Sequence, residues 1–570
     1  MARSTYWLRL FVLTIFSTIS GSLRGQSWQW ALTPQTTSTG SSIISATARD
    51  EAGGYIVAGT FTGTVTFGTT TLTSTGVSDV FVARVDDAGN WTQAVRAGGT
   101  GGARPRTMAV STAGTVVLAG DFSGSTATFG SFSLAKAGTV ATTTDVFVAW
   151  LSPAGIWTQA VRGGGVGSEI IRSVATDVSG NVVIGGTIHD SPSRFGAFTL
   201  TPVLGPDIFV ARVSAAGIWT QAVSVGNSGG DLLHALVLEP NGTVHITGFF
   251  TSYSLDFGAF TLNNSSIGAG TYYTLYVATL NSAGTWTRAI RVLVTGNVTP
   301  RAMIEDGPGN LVLTGTFDAR MASFGRHTLY NANTTNVGMG GDIFVARLNS
   351  ISNWTQAVSA GGLSEDAPLA LAQDNQGNIV VGGYYRATTM FGAISLANAD
   401  QPVTSPLNTT TDVFVARLNR AGTWTHAIRA GGAGMDQAEG LSIDETGQTV
   451  FVSGSFIRTA TFGAIPLSTA STAYSAPFVA RLAGLPLSPR RAKPGQTLAV
   501  FPNPAHGLVT LSLAPAPVPR VVLVLDALGR LVRSHSLPAH TSSATVPLTG
   551  LPTGVYIVRC GEAASRLLVD

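Results

Sequence analysis

Short apolar runs alternate with Gly-, Asn- and Asp-containing breaks along this chain, and they do so on a repeating period. In residues 107–163 the run Thr107–Val110 (TMAV) is followed by a break at Ser111–Gly114 and by Thr115–Phe122 (TVVLAGDF), β-branched at its start. Thr128–Leu134 (TFGSFSL) alternates, and Asp145–Leu151 (DVFVAWL) puts Phe147 and Ala149 on one face and Val146 and Val148 on the other. Trp157–Val161 (WTQAV) ends the unit before Gly163–Gly165. Runs of this length, bounded by turn formers and rich in Val, Thr and Phe, predict four main strands and a small extra hairpin.

The unit recurs. WTQAV-like strands start at Trp91, Trp157, Trp219, Trp286, Trp354 and Trp424, with a degenerate copy at Trp28, and the spacings are 63, 66, 62, 67, 68 and 70 residues. Phe-Gly dipeptides begin at Phe67, Phe129, Phe195, Phe257, Phe324, Phe391 and Phe462, and FVAR-like strands centre on Phe81, Phe147, Phe209, Tyr276, Phe344, Phe414 and Phe478. A fixed period of this size decides architecture before any single residue does, and four strands per period is the pattern of a β-propeller blade. The Trp strand is out of phase: Trp28 precedes every other landmark, and no copy follows Phe478–Leu482. Pairing Trp28–Leu32 with Phe478–Leu482 would complete the seventh unit and remove two exposed edges. The expected fold is therefore all-β: a seven-bladed β-propeller over 26–483, closed by an N-terminal strand, then a linker over 484–498 and a small C-terminal β-sandwich over 499–570.

Composition agrees with short strands, because charged residues are only 11% and Gly numbers 68 of 570. The formal charge of +3 conceals an uneven distribution. Arg3, Arg9 and Arg24 lie in the first 25 residues, and residues 490–570 carry a net of five positive charges, which leaves 26–489 with about five net negative charges. That excludes a basic nucleic-acid footprint on the repeats. Arg3 and Arg9 lie at the start of the apolar run Leu10–Phe16, which is too short to span a bilayer, and small residues follow around Ser17–Ser22, so residues 1–25 read as a secretory signal peptide. The lone Cys560 permits no internal disulfide, and the repeats must hold by packing.

Residues 354–383 (WTQAVSAGGLSEDAPLALAQDNQGNIVVGG) with 412–418 (DVFVARL), and 157–186 with 207–213, resemble the SBBP-type β-propeller repeat of secreted bacterial proteins. That resemblance covers roughly 27–482 and implies a fold but no single activity; Leu275–Leu280 (LYVATL) departs from it in lacking the leading Asp and the Arg. In the tail, Val500–Pro504 (VFPNP), Val521–Arg530 (VVLVLDALGR), Leu551–Val558 (LPTGVYIV) and Ser565–Val569 (SRLLV) resemble the Por-type C-terminal sorting domain of type IX secretion cargo, as found in Bacteroidetes. The resemblance implies Sec export to the periplasm, engagement of the type IX machinery through 499–570, and a cell-surface or extracellular destination. Relatives often end on Lys or Arg, whereas Asp570 is terminal here.

Candidate chemistry is sparse. The sequence carries no HExxH motif, P-loop or paired Cys, so neither cofactor nor metal is expected. The one GxSxG match, Gly226–Gly230 (GNSGG), precedes a strand, whereas a nucleophile elbow at Ser228 would require a helix there. Repeated Trp residues read as packing between blades, Gly-Gly runs as turns, and Asp177–Asn181-type segments as Asp-opened turns. After the Gly-rich turn, four units carry an acid: Glu169, Asp231, Asp366 and Asp436. Two readings stand for these: turn capping, or an acidic axial mouth contacting a cation or a hydroxylated ligand. The leading functional expectation is a non-enzymatic binding or adhesion scaffold for an extracellular glycan or protein, presenting the variable loops Leu262–Thr274, Tyr330–Gly341 and Ala397–Thr411. Alternatives are an enzyme on extracellular polysaccharide and a structural surface-layer or gliding-associated component.

Overall fold

The computed structural model describes residues 26–484 and 498–570 apart from 38–39, 51–52, 265–271, 295, 334–339, 400–409, 445–446, 470–474, 514, 516–518, 527–530 and 561–562. The expected signal peptide, nearly all of the expected linker and much of the three variable loops lie outside the described residues. The chain divides into two compact units, Met1–Pro486 and Leu487–Asp570. Among the described residues there is no helix, and so none long and apolar enough to cross a membrane.

The first unit consists of antiparallel groups of four strands, called here lead, second, third and outer. In one group these are Ala103–Val110, Val116–Phe122, Asp145–Leu151 and Trp157–Gly165. The lead strands of all the groups are Ser41–Arg49, Ala103–Val110, Ser168–Thr176, Asp231–Leu238, Val298–Glu305, Asp366–Gln373 and Gln437–Ile443. Each packs against the next in order, and Gln437–Ile443 packs against Ser41–Arg49. In the last group the outer strand comes from the other end of the sequence: Ser27–Leu32 pairs antiparallel with Ala476–Ala483, with Trp28 opposite Leu482. The strand pairing expected from the phase shift is thus present.

Second and third strands are buried along nearly their whole length because both of their faces are covered by neighbouring groups. Phe147 and Ala149 enter the core shared with the preceding group, while Val146 and Val148 enter the one shared with the next. Each Trp sits at such a boundary. The Trp157 ring packs edge-on against Phe129 at 5.2 Å, and its Nε1 donates to the Arg96 carbonyl of the preceding group at 3.1 Å. Trp28 does the same with Phe462 (5.1 Å) and the Arg429 carbonyl (3.3 Å). The Phe-Gly hairpins also reach backwards: Thr126–Phe129 pairs with the end of Trp91–Gly99. This corrects one expectation. Gly98–Gly99, Gly163–Gly165 and Gly361–Gly362 are strand ends rather than turns. Gly is needed there because a Cβ on Gly99 would overlap the Thr126 carbonyl of the docked hairpin, and one on Gly98 the Asp79 carboxyl.

A second set of glycines lies inside the second strands, at Gly59, Gly120, Gly186, Gly248, Gly315, Gly383 and Gly454. Opposite each, the lead strand bulges by one residue. The bulge brings the lead-strand carbonyl where a Cβ would stand: Thr299 O against Gly315, Ala367 O against Gly383. Gly315→Ala is expected to cost about 1–3 kcal/mol and to lower the melting temperature of the purified protein. An unchanged melting temperature would mean that the bulge relaxes freely.

Adjacent groups are clasped by a repeated polar cluster. In three groups the FVAR arginine pairs with the Asp of its own group's turn and donates across the boundary to the turn carbonyl of the next. Arg347 pairs with Asp306 and donates to Gly377 O at 2.7 Å; Arg84 pairs with Asp50 and donates to Gly114 O at 3.4 Å. The Gln of WTQAV supports it: Arg347 Nε donates to Gln356 Oε1 (3.2 Å), and Gln356 Nε2 donates to Arg420 O of the next group (3.3 Å). Two groups lack this Arg: Trp150 stands at the position in one, and the other, with Thr279 there, carries a different buried cluster, in which His245 joins Thr279 Oγ1 and Glu239 Oε1 at 3.0 Å each, and Glu239 accepts from Gly309 N of the next group.

The second unit holds two antiparallel sheets, Ala499–Phe501 with Leu508–Ser512 and Ser543–Pro547, and Leu531–Leu537, Arg520–Leu525, Gly554–Cys560 and Ala563–Val569. They share one core including Val509, Leu511, Val522, Val524, Val546, Val558 and Leu567, in which the Cys560 thiol is enclosed.

Candidate functional site on the lead strands

The four acids singled out from the sequence are at most 1% exposed. The axial-mouth reading is corrected on this point, because carboxyls enclosed between groups present nothing to a ligand. Three of them cap the Gly-rich segment and its surroundings instead. Asp231 accepts from Asn227 N (2.9 Å) and Ser252 Oγ (2.7 Å), Asp436 from Gly432 N (2.7 Å), and Glu169 from Ser193 Oγ (2.6 Å). Each also faces the Asp that opens the preceding group's third strand. A Cβ on Gly164 would stand 2.6 Å from Glu169 Oε2 and 2.9 Å from Asp145 Oδ1, so this glycine separates two carboxyls. Asp207 with Asp231, Asp342 with Asp366, and Asp412 with Asp436 repeat the arrangement. Where the third strand opens on Thr274, the facing position is Val298, which makes the same backbone contact (Val298 N to Tyr273 O, 3.0 Å).

Burial, followed for Asp366 by the Asp342 charge, pushes these carboxyls upward. Glu169, Asp342 and Asp436 reach about 7, and Asp366 goes well above its ordinary range. The folded protein therefore keeps protons that the unfolded chain sheds from about pH 4. Stability contributed by these sites is greatest at the acidic end and falls as pH rises from about 4 towards 7. Asp342→Asn with Asp366→Asn should flatten that decline, measured as melting temperature against pH; an identical slope in the double variant would sink the assignment.

The positions that sequence reading missed are the bulge residues themselves. The residue skipped by the ladder in each lead strand is Ser45, Arg106, Arg172, His234, Arg301, Leu369 or Glu439. These equivalent positions lie on strands that pack successively against one another, and their side chains converge. Desolvation lowers the Arg172 pKa, and the neighbouring charges that act on it are Arg106, Asp121 and Arg301. His234 is driven down to about 3 by burial and then by Arg301 and Arg172, which leaves it neutral. Arg106 is held by Asp121 (Nε–Oδ1 2.5 Å). Glu439 accepts from Ser455 Oγ at 3.0 Å, and burial raises its carboxyl to about 7. Nearby, Tyr384 Oη and Arg386 Nε both meet Glu365, at 2.7 and 3.2 Å. The His234 ring lies 5.3 Å from Phe249, which stacks on Tyr273 at 4.3 Å. The signal was available in the interior Gly of each second strand, which marks a bulge and hence the residue beside it.

Ser228 sits in an isolated bridge with Leu204 and is followed by the strand Asp231–Leu238, so the geometry of a nucleophile elbow does not form around it. Among the described residues no three His, Cys, Asp or Glu side chains gather as a metal site.

Residues 499–568 match the secretion system C-terminal sorting domain family. The tail is a type IX sorting domain. It indicates export of this protein to the cell surface or extracellular space, and engagement of that secretion machinery through the C-terminal unit. Over 450 residues the chain is 22% identical to an uncharacterized WD repeat-containing protein, L264, of Acanthamoeba polyphaga mimivirus, a match covering 68% of this chain and 32% of that relative. The chain thus spans about a third of the relative's length. The exported body is a β-propeller-like repeat protein. Among solved structures it is similar to a Dyadobacter fermentans protein of unknown function (10% identity, TM-score 0.38, 81% of this chain and 99% of that one). It is also similar to Chaetomium thermophilum Sqt1 bound to the N-terminus of ribosomal protein L10 (10% identity, TM-score 0.36, 72% and 94%).

Proposed function

We propose that this protein is a closed seven-bladed propeller of SBBP type that acts outside the cell as a non-enzymatic binding scaffold. The closed form is supported by the pairing of Ser27–Leu32 with Ala476–Ala483 and by the unbroken succession of lead-strand contacts that returns from Gln437–Ile443 to Ser41–Arg49. The binding role rests on one observation. Positions that pack are repeated from group to group, whereas the bulge positions differ from group to group (Ser45, Arg106, Arg172, His234, Arg301, Leu369, Glu439) and include the exposed Arg172 and Arg301. Packing requires sameness; a set of equivalent polar positions freed from it is where recognition is built on a rigid scaffold.

The test is a glycan array and a surface-extract pull-down with the purified protein, beside a polysaccharide depolymerisation assay. Retention of a ligand without turnover is the expected result. Release of new reducing ends by the purified protein would overturn the non-enzymatic reading.

A further inference from the structure

The lead-strand bulges of four consecutive groups carry Arg106, Arg172, His234 and Arg301. Arginines that clasp neighbouring groups are engaged: Arg84, Arg347 and Arg417 each pair with a turn Asp and donate to a carbonyl of the next group. Arg106 is likewise satisfied by Asp121. Arg172 and Arg301 are different. Both are exposed, and neither makes a hydrogen bond or ion pair among the described residues. They belong to groups separated by a third, yet each acts on the charge of His234 lying between them. His234 Nδ1 is buried and has no hydrogen-bond partner. Two free guanidinium forks and an unsatisfied imidazole nitrogen thus face a common space. The carboxylates whose charge reaches this space, Asp121 and Glu365, are already paired with Arg106 and Arg386, so positive charge is left over that an anion would offset. The other bulge positions, Leu369, Glu439 and Ser45, supply one carboxyl, already engaged by Ser455.

We propose that this arc binds an oxyanion group of an extracellular ligand, a carboxylate or a sulfate, with Arg172 and Arg301 as guanidinium donors and His234 as an N–H donor. The inference rests on the binding-scaffold reading and names its chemistry. Planar guanidinium forks match the two oxygens of such a group bidentately. A neutral imidazole still offers one N–H, so the low pKa of His234 does not remove it from the site.

The experiment is calorimetric titration of the full-length exported protein with sodium sulfate, with trigalacturonate and, as an uncharged control, with maltotriose. Saturable binding of sulfate or trigalacturonate is expected, and which of them binds more tightly identifies the source of the oxyanion. R172Q/R301Q should weaken that binding at least about tenfold, while R326Q, an exposed arginine on a hairpin turn, should leave it unchanged. If the double variant melts early, H234F and R301Q tested singly replace it. Equal affinity in wild type and R172Q/R301Q would overturn the proposal, as would an absence of wild-type binding to both oxyanions. A glycan-array signal that survives R172Q/R301Q would remove the arginine site and leave the scaffold reading standing. Arginine-dependent sulfate binding with no ligand on the array or in the pull-down would do the reverse.

Discussion

Arg417→Ala is expected to destabilise the repeat unit by about 3–5 kcal/mol. Arg417 and Asp374 are each about 1% exposed in their side chains, and the guanidinium also donates to Gly447 O of the next group at 3.4 Å. Truncation leaves a buried carboxylate without its counter-charge and a turn carbonyl without its donor, and it does so at a boundary between groups. The cost is that of stranding a charge rather than the net value of the pair, and the two are separable. Arg417→Met with Asp374→Asn removes both charges and should recover most of the loss. Denaturant unfolding of the three proteins checks this. If the single and double variants lose the same stability, the stranded-charge account fails. The half-buried contact between Arg386 and Glu365 serves as a comparison, since a pair that keeps much of its solvent contributes about 1 kcal/mol or less.

The second large effect is expected at a boundary tryptophan. Trp424→Ala should cost about 3–5 kcal/mol, because the indole is 8% exposed, packs edge-on against Phe391 at 5.1 Å and donates to Ser359 O of the preceding group at 3.1 Å. Trp424→Phe keeps most of the apolar contact and loses the hydrogen bond, so a residual loss of about 1 kcal/mol is expected. Thermal unfolding of both variants decides it. A Phe variant as unstable as the Ala variant would show that the N–H, and not the ring's packing, holds the boundary.

Much of the fold was readable because it is built from repetition. The Trp, Phe-Gly and FVAR landmarks each recur on the same period, and the phase shift of Trp28 predicted a pairing that no local pattern could have suggested. Strand limits were less legible. The run Thr107–Val110 is only the second half of the strand Ala103–Val110, since Arg104 and Arg106 interrupt the apolar pattern. The Gly-Gly runs read as turns because strand glycines are rare; the docking hairpins that require them are contributed by the following group and are invisible locally. The site fared worst, for a related reason. Glu169, Asp231, Asp366 and Asp436 share a position, but the backbone turns their carboxyls into the boundary with the preceding group. The bulge residues share a position too, yet they share no residue type, so repetition conceals them. His234 looked scattered among the histidines and is equivalent instead to arginines.

The outer strand borrowed from the start of the repeat region has a consequence in time as well as in space. Trp28 donates to Arg429, a residue 401 positions along the chain. Ser27–Leu32 is therefore the first strand of the body to be made and the last to find its partner. Every other outer strand follows its third strand after a short turn, so six groups can assemble from local contacts while the seventh waits for a loop of several hundred residues to close. Such a late, non-local step is slow, although the entropy of closing it grows only with the logarithm of the loop length. The assembly order is thereby written into the fold: until Ala476–Ala483 is made, Ser27–Leu32 has no strand to pair with, and an unpaired edge of this kind is prone to pair with another chain.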